Sequence, residues 1–199
     1  WYMFGGDGKV FSGYKYWYGQ LYYFKPGTYE KATNQYVYEN GNRYWADKNG
    51  VVTSGNAQIE TAIATGSTII GKSPYNWGGG RTLQSIALRQ FDCSSFVHWA
   101  YASAGVELGD YRTAVTYSEV NLGRGINWNN MKRGDIFFMD NVDHVGIYLG
   151  GGYFLHDSPN SPTGGVGVSN LDDVVDRWNL VYKDSWRNIS DNIVRRVVG

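Results

Sequence analysis

Cysteine is almost missing from this chain: 199 residues carry one, Cys93. A single thiol cannot close an intramolecular disulfide. A structural zinc site normally draws on more Cys and His than are present. Histidine is scarce as well, at three. Net charge is absent, because 18 Lys plus Arg meet 18 Asp plus Glu. That balance leaves no global field to attract nucleic acid or an anionic membrane, so neither is expected as a partner. No run of about 18 apolar residues occurs, which excludes a transmembrane helix. The chain opens Trp1-Tyr2-Met3, with neither an initiator Met nor a signal peptide, and reads as a processed or trimmed product.

Glycine and aromatics are abundant: Gly 27, Tyr 17 and Trp 8. Much Gly beside many aromatics fits short strands and tight turns better than long helices. The first 55 residues repeat. "YMFGGDGKVFSG" (Tyr2 to Gly13) matches "YWADKNGVVTSG" (Tyr44 to Gly55) at an offset of 44 − 2 = 42. "GQLYYF" (Gly19 to Phe24) matches "GNRYWA" (Gly41 to Ala46) at 41 − 19 = 22. The period is therefore about 21 residues, as in repeat arrays. Each unit reads as a short aromatic hairpin that must stack on its neighbours to bury its face.

From about Asn56 the pattern changes. "NAQIETAIATGSTIIG" reads as a helix with a Gly stop, "SPYNWGGG" as a loop, and "CSSFVHWAYASAG" as a second helix ending at Gly105. Strand signals follow in "GDIFFM", "HVGIYLG", "GYFLHDS", "LVYKDSW" and "NIVRRVV". Helices first and strands afterwards indicate an α+β fold with an antiparallel sheet.

Cys93 opens the second helix, where free amides and the helix dipole lower a thiol pKa. Such a thiolate is a nucleophile if a base is near. The plainer alternative is a small buried apolar residue. His98 follows Cys93 by 98 − 93 = 5 residues, about 500° around a helix, and points away as a structural residue. His144 and His156 lie on two strands joined at Gly150 to Gly152. If Tyr148 opposes Gly152, opposed pairs sum to 300 and His144 faces His156. A two-residue loop without a bulge separates them onto opposite faces. A second histidine accepting from the first fixes its tautomer. The alternative for either histidine is a polar residue on a solvent face.

"FDCSSFV", "KRGDIFFM", "DHVGIYLGGGYFLHDS" and the closing "RRV" resemble the NlpC family of papain-like cysteine peptidases, over roughly residues 56–199. The spacings, 144 − 93 = 51 and 156 − 144 = 12, are similar to the family's. The resemblance implies a papain-like domain that cleaves peptidoglycan stem peptides without metal or cofactor. It implies Cys93 as nucleophile, His144 as general base and acid, and His156 as the orienting member. Tyr75 is implied at the oxyanion site, with the Cys93 N–H as the other donor. Asp92 and Ser94 are implied to line the groove. Arg112, in "DYRTA", either contacts a substrate carboxylate or forms a structural ion pair. Two features depart from the pattern. Ser95 stands where the family has glycine, and the spacer from Gly78 to Phe91 is long enough to reshape one wall of the groove.

The repeats resemble cell-wall-binding repeats of Gram-positive surface proteins and phage lysins, which include choline- and glucan-binding modules. That implies choline, teichoic acid or glucan as ligand, held at Trp1, Trp17, Tyr23 and Trp45 by cation–π contact where the ligand is choline. The alternative is that these aromatics only pack hairpin on hairpin. The expectation is a hairpin module at 1–55 and a cysteine endopeptidase at 56–199, extracellular and wall-associated, from an autolysin or a phage lysin. Its expected cut is the γ-D-glutamyl–diamino acid bond. The rivals are a D-Ala–bridge cut, a muramoyl–L-Ala amidase, and an inactive wall-binding protein.

Overall fold

Tight turns set the shape of the N-terminal region. In the computed structural model, which describes residues 1–175 and 184–199, β1 (Gly13–Trp17) and β2 (Gln20–Phe24) form a hairpin across Tyr18-Gly19. β3 (Gln35–Glu39) and β4 (Asn42–Ala46) form another across Asn40-Gly41, with β5 (Val52–Thr53) paired to β4. Both central residues of each turn have positive φ, 46° and 77° in the first and 53° and 72° in the second. That is the turn whose twist matches the flanking strands. Leu21, Val37, Tyr44 and Val52 bury one face of these strands together.

α1 (Ala57–Ser67) begins where Asn56 Oδ1 accepts the N–H groups of Gln58 and Ile59. α2 (Leu83–Ala87) lies in the long spacer, capped by Thr82. α3 (Cys93–Ala102) is capped by Asp92, and α4 (Thr116–Glu119) is one turn. The strands that follow are β6 (Arg124–Ile126), β7 (Ile136–Met139), β8 (His144–Gly150), β9 (Tyr153–Asp157), β10 (Val166–Asn170), β11 (Val174–Val175), β12 (Asp184–Ser185) and β13 (Ser190–Arg196). Six of them form an antiparallel sheet in the order β10-β9-β8-β7-β13-β6. The expected α+β architecture is the observed one. The stretch "LVYKDSW" is only partly visible: residues 180–183 lie outside the described residues, and Asp184–Ser185 pair with β11 apart from the main sheet.

Strand alternation sorts the two faces of the sheet. Ile136, Phe138, Val145, Ile147 and Leu155 face α1 and α3, where they meet Ile59, Phe96 and Val97. Phe137, Met139, Tyr148 and Phe154 face the other way and pack with Trp186 and Val175. Among the described residues, no helix is long and apolar enough to cross a membrane.

The hairpins are joined to the sheet by polar contacts that range from buried to exposed. Glu39 accepts the Tyr148 hydroxyl and the Gly151 N–H, at the turn linking β8 to β9. Tyr44 Oη accepts the Arg133 N–H at 2.9 Å, and Asn42 Nδ2 donates to Asn130 O at 3.0 Å. Gly151 has φ 64°, and a Cβ there would stand 2.3 Å from Tyr14 Cβ, so the turn lies directly on the first hairpin. Replacing Glu39 by alanine leaves the buried Tyr148 hydroxyl and the half-buried Gly151 N–H unpaired. A loss of about 2 kcal/mol in urea unfolding is expected; an unchanged midpoint would show that this contact does not join the two regions.

Candidate active site

Cys93 is the first residue of α3 and is buried. Its position follows from a reciprocal cap. Asp92 Oδ1 accepts the Ser95 N–H at 3.1 Å, and Ser95 Oγ accepts the Asp92 N–H at 3.0 Å. Ser95, the departure from the family pattern, is therefore the far half of the capping box. Space for it comes from Gly80, where a Cβ would lie 2.5 Å from Ser95 Cβ.

Cys93 Sγ donates to the carbonyl of Asp143 at 3.8 Å, and the N–H groups of Ser94 and Val145 point at the sulfur. Asp143 and Val145 flank His144, so the thiol docks against the start of β8. His144 Nε2 lies 2.8 Å from His156 Nδ1, and His156 Nε2 lies 2.8 Å from Ser169 Oγ. Trp186 packs on both rings, with centroids 5.5 Å from His144 and 5.0 Å from His156. His144 Nδ1 is left without a hydrogen-bond partner among the described residues.

The register differs from the expected sum of 300. Tyr148 pairs with Phe154 and Ile147 with Leu155, a sum of 302, and Gly150 pairs with Tyr153 across a bulge. A two-residue turn, Gly151-Gly152, closes the hairpin. The bulge restores the parity that this turn would otherwise break, so both histidines share a face as diagonal rather than opposed neighbours.

Burial acts on the titrations in one direction. It pushes the Cys93 thiol up to about 12, with the charges of Asp92 and Glu119 as lesser causes. The same effect holds His144 down to about 4 and His156 well below its ordinary value. Burial thus favours the neutral forms of the Cys93 thiol and of both imidazoles. The helix-start lowering expected for Cys93 is outweighed by desolvation. Glu119 is buried, and its carboxyl is raised well above the usual carboxylate range by that burial and then by Asp92; Asp157 is pushed up to about 8 by burial and then by Asp92. Neither carboxyl has a hydrogen-bond partner among the described residues.

A cleft runs to both sides of Cys93. One lobe, about 250 Å³, is lined by Asp92, Cys93, Ser94, Arg81, Thr116 and Tyr117. The other, about 490 Å³, is lined by His144, Ser158, Asn160 and Trp186. Tyr75 and Trp77 border both. The Tyr75 hydroxyl is raised by burial and then by the neighbouring Cys93.

Asp92 and Ser94 line the cleft but are already engaged. Arg81 Nη1 reaches Asp92 Oδ2 at 2.6 Å, and its Nη2 reaches Ser94 Oγ at 3.1 Å and the Ala114 carbonyl at 2.6 Å. Arg81 comes from the long spacer and carried no sequence signal beyond that extra length. Arg112 is elsewhere. It is exposed, its Nε bonds both Asp110 oxygens at 3.0 Å, and it lines a separate hollow with His98. The cause is local: Asp110 Oδ1 caps the short turn that carries Arg112 and holds it. His98 points away from the thiol, to Gly109 O at 2.7 Å. Removing the Arg81 guanidinium strands the Asp92 charge. Arg81→Ala is expected to cost about 3 kcal/mol in denaturant unfolding, and a cost under about 0.5 kcal/mol would show the pair to be dispensable.

The repeat aromatics divide. Trp1 and Trp17 line a hollow of about 680 Å³ with Phe4, Phe11, Tyr22 and Phe24. Tyr23 packs on Tyr14 at 4.6 Å and Trp45 on Tyr36 at 5.0 Å, outside that hollow. Lys31 Nζ lies 5.5 Å from the Trp1 ring and 5.2 Å from the Tyr22 ring. Among the described residues, no group of three or more His, Cys, Asp or Glu is placed to hold a metal.

Comparison with known proteins gives a consistent set. The NlpC/P60 family matches residues 71–182. A peptidoglycan DL-endopeptidase, CwlO of Bacillus licheniformis, is 50% identical over 151 residues, covering 74% of this chain and 30% of that protein. A gamma-D-glutamyl-L-lysine dipeptidyl-peptidase of Bacillus subtilis is 31% identical over 142 residues, covering 66% of this chain and 42% of that one. The solved peptidoglycan hydrolase RipB of Mycobacterium tuberculosis superposes with a TM-score of 0.54 at 27% identity, over 71% of this chain and 65% of that one. The chain thus spans less than half the length of these two curated relatives.

Proposed function

The chain belongs to the NlpC/P60 family, with its papain-like α+β fold, and on that premise we propose that it is a peptidoglycan hydrolase acting as a cysteine endopeptidase on stem peptides. The observation that carries the reading is the hydrogen-bonded pair His144–His156 set against a buried thiol at a helix start, inside an open cleft. Cys93 Sγ attacks the substrate carbonyl while His144 Nδ1 takes the thiol proton. The oxyanion forms between the Cys93 N–H and the Tyr75 hydroxyl. His144 then gives its proton to the leaving amine, and water activated by the same nitrogen releases the acyl group. His156 holds the His144 ring. Asp92 and Ser94 shape one lobe of the cleft through Arg81.

The bond we assign is γ-D-glutamyl to a diamino acid, the linkage for which the B. subtilis dipeptidyl-peptidase is named. Digestion of defined muropeptides with mass spectrometry of the products tests it. A new amine on the diamino acid is expected. A new amine on a bridge residue would reassign the cut to the cross-link, and one on L-Ala would make the protein an amidase. No product at all would favour an inactive wall-binding protein.

Residues 1–55 are proposed as a wall-binding module docked on the catalytic domain at 56–199, working outside the cell at the wall. Lys31 already occupies the cation position over Trp1 and Tyr22. That favours a sugar or anionic wall polymer, such as glucan or teichoic acid, over choline at the Trp1–Trp17 hollow.

A further inference from the structure

An imidazole in the orienting position poses a problem that a carboxylate does not. A carboxylate only accepts, so it forces its neighbour to donate. A neutral imidazole accepts at one nitrogen and donates at the other, and nothing in the ring decides which. If His156 Nδ1 carried the hydrogen, it would donate to His144 Nε2. The hydrogen of His144 would then sit on Nδ1, and that nitrogen could not take the thiol proton. The orienting histidine therefore needs an orienter of its own.

Ser169 stands where one is required. Gly167 pairs with His156 across β9 and β10, and Ser169 lies two residues on, on the same face of the sheet. Val166 and Val168 point to the opposite, helix-covered face. Ser169 is buried, and its Oγ is 2.8 Å from His156 Nε2. Phe154 and Trp186 pack on the His156 ring, at 4.4 and 5.0 Å between centroids, so the imidazole has little freedom to find another partner.

A hydroxyl can also donate or accept, so the direction depends on where its hydrogen points. We propose that Ser169 is a positioning residue whose hydroxyl hydrogen is turned away from His156, and that this fixes the direction of the relay. Its Oγ accepts the Nε2–H of His156. His156 Nδ1 then accepts the Nε2–H of His144, and His144 Nδ1 presents its lone pair to Cys93. The proton ledger balances in each step: the thiol proton goes to His144 Nδ1 as Sγ bonds to carbon, and returns from there to the leaving amine. No proton needs to leave the His156–Ser169 link.

The inference rests on the peptidase reading, but its first test needs no turnover. In ¹⁵N NMR of the wild-type protein near neutral pH, both His144 and His156 are expected as neutral Nε2–H tautomers. Nδ1–H tautomers at either ring would overturn the proposal. In activity, Ser169→Ala is expected to lower kcat by about 10- to 100-fold, the usual reach of a residue behind a ligand or base, with KM within about twofold. Ser169→Thr, which keeps the hydroxyl, is expected to recover most of the rate. A second comparison separates this role from packing. In a His156→Gln background, where no tautomer remains to be fixed, Ser169→Ala is expected to have little further effect. A loss as large as in the wild type would show Ser169 to be merely structural. If Cys93→Ala keeps full activity, the peptidase reading fails; if only the Ser169 comparisons fail, the peptidase reading stands without this residue.

Discussion

Replacing Cys93 by alanine is expected to abolish lysis of purified walls, with residual activity at least about 10⁴-fold below wild type. The chain has no second thiol to take over. The defect should be chemical, because the small, buried side chain carries no part of the cap that starts α3; Asp92 and Ser95 do that. Thermal unfolding should therefore move little while activity vanishes. Retained lysis would sink the assignment of the nucleophile. The raised thiol pKa adds a second expectation. Burial disfavours a free thiolate, and the Asp92 charge is already countered by Arg81. Alkylation by iodoacetamide should accelerate about tenfold per pH unit from neutrality to about pH 10, without a plateau. A plateau below about pH 8.5 would mean a standing thiolate, and would return the helix dipole to the leading role.

Much of the site was legible in the sequence because it is built from local order. A cysteine at a helix start and two histidines flanking a glycine turn are placed by secondary structure alone. The face assignment of β8 follows from alternation, and only the register moved, because the bulge before Gly150 cannot be read from three glycines in a row. What failed to show was what the spacer supplies. Arg112 lies in the motif-like segment yet stays on its own turn, while Arg81 reaches Asp92 from a stretch with no pattern. A guanidinium on a long flexible stem reaches its partner through folding of the loop that carries it, and spacing does not encode that. Ser95 and Gly80 illustrate the same limit. A side chain added at one position is accommodated by its absence at another, 95 − 80 = 15 residues earlier. Ser169 left a faint signal: in "GVGVSN" the valines alternate with Gly167 and Ser169, which puts the serine on the histidine face of its strand.

His144→Gln is the other change with a very large expected effect. Glutamine keeps a polar group at the head of β8 but cannot take a proton. In an enzyme with a standing thiolate, the base would be needed mainly for the leaving group. Here burial favours the neutral thiol, so His144 is expected to act in both proton transfers. A loss near the upper end of general-base effects, about 10⁴-fold in kcat, is expected. The wild-type pH profile carries the same logic with a definite sign. His144 is held down to about 4, so its neutral, proton-accepting form persists well below the ordinary imidazole range. Activity should stay near its plateau through pH 6.5 and fall only as pH approaches about 4. The fold weakens over a related interval. The unfolded chain takes up the imidazole proton near pH 6.5 and the folded one near 4, so stability declines as pH falls through that window. Initial rates at low pH, compared with activity recovered on return to neutral pH, separate reversible protonation from unfolding. A half-maximal rate near pH 6.5 with full recovery would show His144 to be solvated in the working enzyme, and would remove the case for a neutral thiol–imidazole pair.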